Sequence, residues 1–211
     1  MELFFAPMAC SLATRIALSE AGAEATFTEV DTRTATTTDG RDYLAINPLG
    51  LVPALRTDEG VILTENVAIL AYVAERTGTL TPSDEAGRQR MLQWLSFVST
   101  ELHCRLFGWQ FDPAAPTEIK AHAVEKGKSR LDYLERHLDG RDCVLDEFSV
   151  VDAYLTTVLN WAQATPVDLS AWPAIGAYLD RMRARPSVAA SIAVELPLYL
   201  TERERHRAAS A

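Results

Sequence analysis

In this chain of 211 residues, the fold is most clearly indicated by residues 49–71, LGLVPALRTDEGVILTENVAILA. This stretch holds two short apolar runs, Val52–Leu55 and Val61–Leu63, and the polar turn between them predicts a β-hairpin. Pro53 stands at the head of the first strand, where its missing N–H costs no hydrogen bond of the sheet. If the bond before Pro53 is cis, it turns the N–H and C=O of Val52 outward, so that they can pair with a peptide-like ligand.

A helix follows the hairpin. Its apolar periodicity begins after Thr64-Glu65-Asn66, which places Glu65 and Asn66 at the helix N-terminus. Backbone N–H groups and the helix dipole at such an end attract a carboxylate. The sequence therefore predicts an anchor for a small peptide-like anion beside a sheet edge, made by Val52, Pro53, Glu65 and Asn66.

The N-terminus of the chain supplies a reactive group. Glu2–Phe5 predicts a short strand, and an amphipathic helical pattern runs from Ser11 until Gly22 ends it. Cys10 thus occupies a strand-to-helix turn. A thiol at a helix N-terminus has a lowered pKa because the unpaired N–H groups favour the thiolate. Cys10 is therefore a candidate nucleophile, although a lone cysteine is more often an inert buried side chain.

Composition narrows the function classes. The net charge of −9 argues against a nucleic-acid partner. Cys10, Cys104 and Cys143 are too widely spaced for a disulfide framework or a metal pattern, and they suit a reducing cytosol. No apolar run approaches membrane-spanning length, and no basic hydrophobic leader opens the chain. We therefore expect a cytoplasmic protein without a bound metal or a membrane contact.

The part of the chain from about residue 85 onward reads as helical, after a turn-rich linker at 78–84. The first long helix carries an apolar stripe of Met91, Leu95, Val98 and Leu102. On a helical wheel, Ser96, Thr100 and His103 lie within about 60° of one another on the opposite side. A polar stripe of this kind is usually only a solvated face, so the pattern alone leaves a binding role open.

A second helix is predicted from about Thr117 to Leu138, and the helix after it begins with a capping motif. Ser149-Val-Val-Asp152 has the form of a capping box with Asp at the fourth position. The helix Val150–Ala164 that follows is apolar nearly all round, which is typical of the buried centre of a helical domain. Asp152 is therefore predicted to be structural.

Taken in order, these motifs resemble those of cytosolic glutathione S-transferases, over nearly the whole chain to about residue 195. The motifs are Cys10-Ser11-Leu12, Asn47-Pro48-x-Gly50-x-Val52-Pro53 and Thr64-Glu65-x-x-Ala68-Ile69. The bacterial beta class, which carries a cysteine where other classes use tyrosine or serine, is the most similar. The resemblance implies an α/β thioredoxin-like domain over residues 1–77 and an all-α domain over 85–211. It also implies glutathione as co-substrate and a homodimer.

The resemblance further implies roles for individual residues. Cys10 and His103 would be catalytic, with His103 hydrogen-bonded toward the Cys10 sulfur or the glutathione thiol. Glu101 would receive the γ-glutamyl ammonium of the glutathione bound to the partner subunit. The other implied glutathione-binding residues are Ser11, Val52, Pro53, Glu65, Asn66, Ser96 and Thr100.

The chain also departs from the beta-class pattern. Ala35 and Cys104 stand where two lysines are typical, Ser96 replaces an asparagine, and Asn66 replaces the usual Gly or Ser. Two lost cations beside an anionic tripeptide predict weaker glutathione binding, by about 1–2 kcal/mol for each charge-assisted hydrogen bond.

Three functions stay open at this point. The first is transfer of glutathione to a hydrophobic electrophile, as in detoxification, or thiol-disulfide transfer through Cys10. The second is another glutathione-dependent reaction, such as that of an isomerase, a lyase or a peroxidase. The third is a non-catalytic binding or regulatory protein. The lost lysines favour the third function, whereas the presence of Cys10, Glu65 and His103 argues against it.

Overall fold

A computed structural model describes residues 1–208 of the chain, which form two compact units. The first unit comprises Met1–Thr79 together with the chain from Pro186 onward, and the second comprises Leu80–Arg185. The predicted division at 78–84 lies at the junction of the two units. The predicted second domain of 85–211 needs correction at its end, because the last helix belongs to the first unit.

The elements follow one another in an order that matches the sequence patterns. The first unit begins with β1 (Glu2–Phe5), α1 (Leu12–Glu20), β2 (Thr26–Asp31), β3 (Thr36–Thr37), a 3₁₀ turn (Tyr43–Ala45), β4 (Ala54–Arg56), β5 (Ile62–Leu63) and α2 (Asn66–Thr77). The second unit contains α3 (Glu85–Phe97), a π-helical segment (Val98–Gly108), α4 (Trp109–Phe111), α5 (Thr117–Leu138), α6 (Val150–Asn160), a 3₁₀ turn (Trp161–Ala164) and α7 (Pro173–Ala184). The helix α8 (Pro186–Ala208) completes the first unit.

The strands of the first unit form one mixed sheet in the order β3-β2-β1-β4-β5. β1 and β2 are parallel, and the remaining neighbours are antiparallel, including the predicted hairpin β4–β5. The Val52–Pro53 peptide bond that precedes β4 is cis. Four fully buried residues, Phe4, Val30, Tyr43 and Ala54, form one hydrophobic cluster of this unit. This arrangement of strands and helices confirms the predicted thioredoxin-like domain.

A buried ion pair joins α8 to α1 and explains why the last helix belongs to the first unit. Glu195 of α8 is fully buried, and its carboxylate accepts a hydrogen bond from Arg15 Nε at 2.6 Å. The Arg15 guanidinium lies 4.5 Å from the ring centre of Phe5 and 3.9 Å from that of Phe27. Burial raises the pKa of Glu195. Breaking such a pair leaves an uncompensated buried charge, so α8 is held firmly against α1.

The second unit is helical, as predicted. The apolar stripe of the first long helix is buried, namely Met91, Leu95, Val98 and Leu102. Every residue of α6 is buried, and its N-terminus is a capping box of Ser149 and Asp152. The Asp152 carboxylate also accepts hydrogen bonds from the Val144 N–H at 2.8 Å and from the Tyr178 hydroxyl at 3.0 Å. These bonds to backbone and side chain support the prediction that Asp152 is structural.

Within residues 1–208, the structure contains no helix long and apolar enough to cross a membrane.

Candidate active site

The turn between β1 and α1, residues 6–11, is called here the Cys10 turn. Cys10 is half-buried, and its thiol donates a hydrogen bond to the Val52 carbonyl oxygen at a distance of 3.2 Å. Two parts of the chain that the sequence predicted to bind a ligand are therefore adjacent. The carbonyl oxygen has two lone pairs, so it can accept a second hydrogen bond beside that of the thiol.

Ser11 is fully buried in this turn. Its hydroxyl donates to the Ala6 carbonyl oxygen at 3.1 Å and accepts from the Ala6 N–H at 3.3 Å. The donor and one acceptor lone pair of the hydroxyl are thereby used to close the turn. The Ser11 hydroxyl therefore holds the backbone of the turn, and the predicted contact of Ser11 with glutathione stays a prediction.

The loop before the cis-proline is held by two side chains. The Tyr43 hydroxyl and the Asn47 amide both donate to the Leu51 carbonyl oxygen, at 2.8 and 2.7 Å. Val52, the next residue, is half-buried, and Pro53 is buried. Asn47 belongs to the motif of the sequence analysis, whereas Tyr43 was missed, since no local pattern connects it to this loop. Together these two residues fix the peptide group that precedes Val52.

Glu65 and Asn66 stand at the beginning of α2, as predicted, but they differ in exposure. Glu65 is exposed and has a φ of +66°, a left-handed conformation that non-glycine residues rarely adopt. Such a conformation is found at sites whose surroundings determine it. Asn66 is 7% exposed, and its amide bonds to Thr14 and to the Cys10 carbonyl oxygen. The side chain of Asn66 is therefore engaged within the protein, and its predicted contact with glutathione stays a prediction.

In the second unit, the predicted polar residues lie on or beside the π-helical segment Val98–Gly108, called here the π segment. Ser96 and Thr100 are exposed, and the Thr100 hydroxyl donates to the Ser96 carbonyl oxygen at 3.0 Å. In a π helix each N–H bonds to a carbonyl five residues earlier, so successive side chains turn through a smaller angle than in an α-helix. The wheel that grouped Ser96, Thr100 and His103 on one face assumed α-helical geometry, and it does not describe this segment.

Glu101 is paired with two arginines. Its carboxylate accepts from Arg130 Nε at 2.9 Å and lies 3.4 Å from a terminal nitrogen of Arg105. The two cations neutralise the charge that was predicted to receive an ammonium group. The geometry therefore does not favour that role, and Arg130 is a partner that sequence reasoning missed.

His103 contacts the buried helix α6. Its Nδ1 lies 2.7 Å from the Tyr154 hydroxyl. Its ring packs edge-on against the ring of Trp161, with 4.9 Å between the two ring centres. Burial lowers the pKa of His103 from 6.5 to about 4, so the ring is neutral at pH 7. The sequence analysis did not predict this role for Tyr154, although a tyrosine hydroxyl in a nearly all-apolar helix indicates that a buried hydrogen-bond partner is needed.

Among residues 1–208, no group of three or more His, Cys, Asp or Glu side chains is arranged to hold a metal ion.

Two family models match this chain, one in its N-terminal part and one in its C-terminal part. The family model described as glutathione S-transferase, N-terminal domain, matches residues 7–76, and the one described as glutathione S-transferase, C-terminal domain, matches residues 91–186. The chain belongs to the glutathione S-transferase family. Glutathione S-transferase GstA of Escherichia coli O157:H7 is 38% identical to this transferase over 199 residues, which cover 92% of the chain and 98% of that relative.

Solved structures agree with the fold of this transferase. A sphingomonad glutathione S-transferase complexed with glutathione is 43% identical, with a TM-score of 0.87, over 92% of the chain and 98% of that protein. The bacterial beta class glutathione S-transferase of Sphingomonas chungbukensis is 41% identical, with a TM-score of 0.88 and the same coverage. The predicted family and fold class are thereby confirmed.

The two positions at which this transferase lacks a typical beta-class lysine are both accessible from solvent. Ala35 is half-buried in a left-handed conformation with a φ of +52°. Cys104 is exposed on the π segment. A longer side chain has room at Cys104, whereas at Ala35 any side chain bears the strain of the backbone, about 1–2 kcal/mol.

Proposed function

We propose that this glutathione S-transferase binds glutathione against the Val52 backbone and uses the Cys10 sulfur in its reaction. The observation that carries the proposal is the 3.2 Å hydrogen bond from the Cys10 thiol to the Val52 carbonyl oxygen. An extended ligand that pairs antiparallel with Val52 donates an amide N–H to the same oxygen. The side chain of that ligand residue then lies beside Cys10. In glutathione the residue is the cysteinyl residue, whose thiol is the reacting group.

The other end of glutathione is proposed to bind at the N-terminus of α2. The γ-glutamyl group carries a carboxylate and an ammonium group. The N–H groups of the first turn of α2 suit the carboxylate, and the exposed carboxylate of Glu65 suits the ammonium group. Ser96 and Thr100 are exposed on the second unit and stay candidates for further contacts.

The reaction with a disulfide is thiol-disulfide exchange. The Cys10 thiol first loses its proton to solvent, and the thiolate then attacks one sulfur of glutathione disulfide. A bond forms between Cys10 and that sulfur, the disulfide bond of the ligand breaks, and glutathione leaves as a thiolate. With a hydrophobic electrophile, the glutathione sulfur itself attacks, and Cys10 serves as its hydrogen-bonding neighbour.

For His103 we propose the role of a neutral hydrogen-bonding group toward the reacting thiol. Its Nδ1 is engaged by the Tyr154 hydroxyl, so this role would fall to Nε2. A ring whose pKa is about 4 carries no charge near pH 7. In this role it therefore acts through a hydrogen bond and not through electrostatic attraction to a thiolate.

The test of the proposed function combines binding with mass spectrometry. The protein is expected to be retained on immobilised glutathione and eluted by free glutathione. After incubation with glutathione disulfide, intact mass should show one glutathione per chain, and peptide mapping should locate it on Cys10. An adduct on Cys104 or Cys143, or none at all, contradicts the proposal for Cys10. Lack of retention contradicts glutathione binding.

We also propose that the protein is a cytoplasmic homodimer, as the family resemblance implies. Light scattering at micromolar concentration should give twice the chain mass. A monomer that turns over glutathione would rule out a shared site.

A further inference from the structure

The side chain of Asn66 connects the beginnings of two helices. It is the first residue of α2, yet its amide reaches away from its own helix to α1. The Thr14 hydroxyl donates to Asn66 Oδ1 at 3.2 Å, and Asn66 Nδ2 donates to the Cys10 carbonyl oxygen, also at 3.2 Å. Thr14 is fully buried and Asn66 is 7% exposed, so these bonds are shielded from water.

The orientation of this amide follows from the chemistry of its partners. A backbone carbonyl oxygen can only accept a hydrogen bond, so the atom that faces Cys10 must be the amide nitrogen. The oxygen of Asn66 then faces Thr14, whose hydroxyl is able to donate. Each end of the amide thus makes one hydrogen bond within the protein, and its low exposure leaves little surface for a ligand.

The Cys10 carbonyl is a point from which the thiol is oriented. It also accepts the Ala13 N–H at 3.2 Å, which begins the hydrogen bonding of α1. Holding this carbonyl restricts rotation about the Cα–C bond of Cys10 and so limits the directions that its side chain can take. The sulfur on the other side of the residue meets the Val52 carbonyl oxygen. The residue is therefore held through its backbone by Asn66 and through its side chain by Val52.

We propose that Asn66 acts through its side chain as a positioning residue for Cys10. Its amide holds the Cys10 carbonyl so that the sulfur points at the Val52 edge, where glutathione binds. This inference rests on the proposed function only in giving Cys10 its catalytic role. The orientation of the thiol by Asn66 is a property of the ligand-free protein and can be measured without glutathione.

The test compares two substitutions that each break a hydrogen bond of the same amide. Asn66→Leu keeps the approximate shape of the side chain and removes the donor to Cys10. Thr14→Val removes the other bond and leaves that donor in place. Alkylation of Cys10 by iodoacetamide at neutral pH, followed by peptide mapping, reports on the thiol alone. We expect the Asn66→Leu rate to fall about tenfold and the Thr14→Val rate to stay within about twofold of the parent rate.

Steady-state kinetics give the second readout. A positioning residue affects the reacting group, so Asn66→Leu should lower kcat and leave the KM for glutathione nearly unchanged. A ligand-binding residue would raise KM. Equal alkylation rates in the parent protein and in Asn66→Leu overturn the inference, as does a variant that changes KM alone. If Asn66→Leu does not fold, Asn66→Ser also removes the bond to Cys10 and is expected to show the same slower alkylation.

A separate control distinguishes failure of this inference from failure of the proposed function. If Cys10→Ala retains full transferase activity, the catalytic role of Cys10 is wrong. The alkylation comparison still decides whether Asn66 orients the thiol. If Cys10→Ala is inactive and the two alkylation rates are equal, the proposed function stands and the positioning role fails.

Discussion

The Cys10 turn and the π segment satisfy their polar side chains in different ways. In the turn, side chains bond to backbone atoms: Ser11 to Ala6 and Asn66 to Cys10. In the π segment, the two charged or ring side chains of the predicted site pair with other side chains: Glu101 with Arg130 and His103 with Tyr154. A bond to backbone fixes the path of the chain and, with it, the direction of every neighbouring side chain.

This difference indicates where substitutions should affect function most. Each side-chain contact to the backbone of the Cys10 turn restricts the peptide groups next to Cys10, so we expect loss of one contact to shift the reacting sulfur. The Met8 N–H of the same turn, at a φ of +60°, donates to Glu195 at 2.8 Å and adds one more such contact. Partly exposed side-chain pairs are weaker and can exchange partners. We therefore expect large functional effects in the Cys10 turn and smaller ones in the π segment.

The largest effect is expected from a matched pair of cysteine substitutions. Cys10→Ala should abolish the glutathione adduct formed with glutathione disulfide, because the attacking sulfur is gone. Cys104→Ala, in the π segment, should leave the adduct at one per chain. Intact-mass spectrometry measures both. An adduct that disappears with Cys104→Ala and persists with Cys10→Ala would reverse the roles of the two regions.

The next effect concerns stability in the π segment. The pKa of His103 is lowered to about 4, so between pH 4 and 6.5 the unfolded chain binds a proton that the folded chain does not. The free energy of unfolding therefore rises with pH across this range, by up to about 3 kcal/mol, and the gain is lost as the pH falls toward 4.

Urea unfolding across this pH range measures that contribution. His103→Gln, which can still bond to the Tyr154 hydroxyl, should flatten the slope of stability against pH. His122→Gln changes an exposed histidine of α5 and should leave the slope as it is. An unchanged slope in His103→Gln would mean that burial of this ring does not govern its protonation.

A smaller effect is expected from restoring the missing lysines. Ala35→Lys acts in the first unit and Cys104→Lys in the π segment. Together they should lower the KM for glutathione by about tenfold through charge-assisted contacts to its glycyl carboxylate. That carboxylate is remote from the sulfur, so kcat should change little. The two single variants show which of the two regions is responsible for the lower KM. An unaltered KM in the double variant would mean that another cation fills the role or that glutathione is not the ligand.

The smallest effect is expected for Glu101→Gln. Its carboxylate is already paired with Arg130 and Arg105 and is partly exposed, so its loss should change the KM for glutathione by less than about twofold. Arg130→Met removes the same ion pair from the other side and serves as the control. A tenfold rise in KM for Glu101→Gln alone would restore the predicted role of Glu101 toward a partner subunit.

Local patterns in the sequence sufficed for the elements and the family. Hydrophobic periodicity predicted the hairpin β4–β5 and the buried helix α6, and the Ser149–Asp152 spacing predicted its capping box. The order of motifs around Cys10, Val52 and Glu65 predicted the transferase fold. These features depend on residues close in the chain, whose geometry is set by backbone propensity and turn chemistry.

The hydrogen-bond partners of most polar side chains at the site were decided only by the tertiary structure. Ser11 and Asn66 are polar residues at predicted site positions, and nothing local shows that Ala6 and Cys10 already engage them. Glu195, a lone carboxylate in an apolar run, is 180 residues from the Arg15 that neutralises it, and this pair assigns α8 to the first unit. The sequence by itself determined which chemical groups the site could contain. Long-range packing decided which of them are left for a ligand, because a buried polar group must bond to whatever partner folding brings within reach.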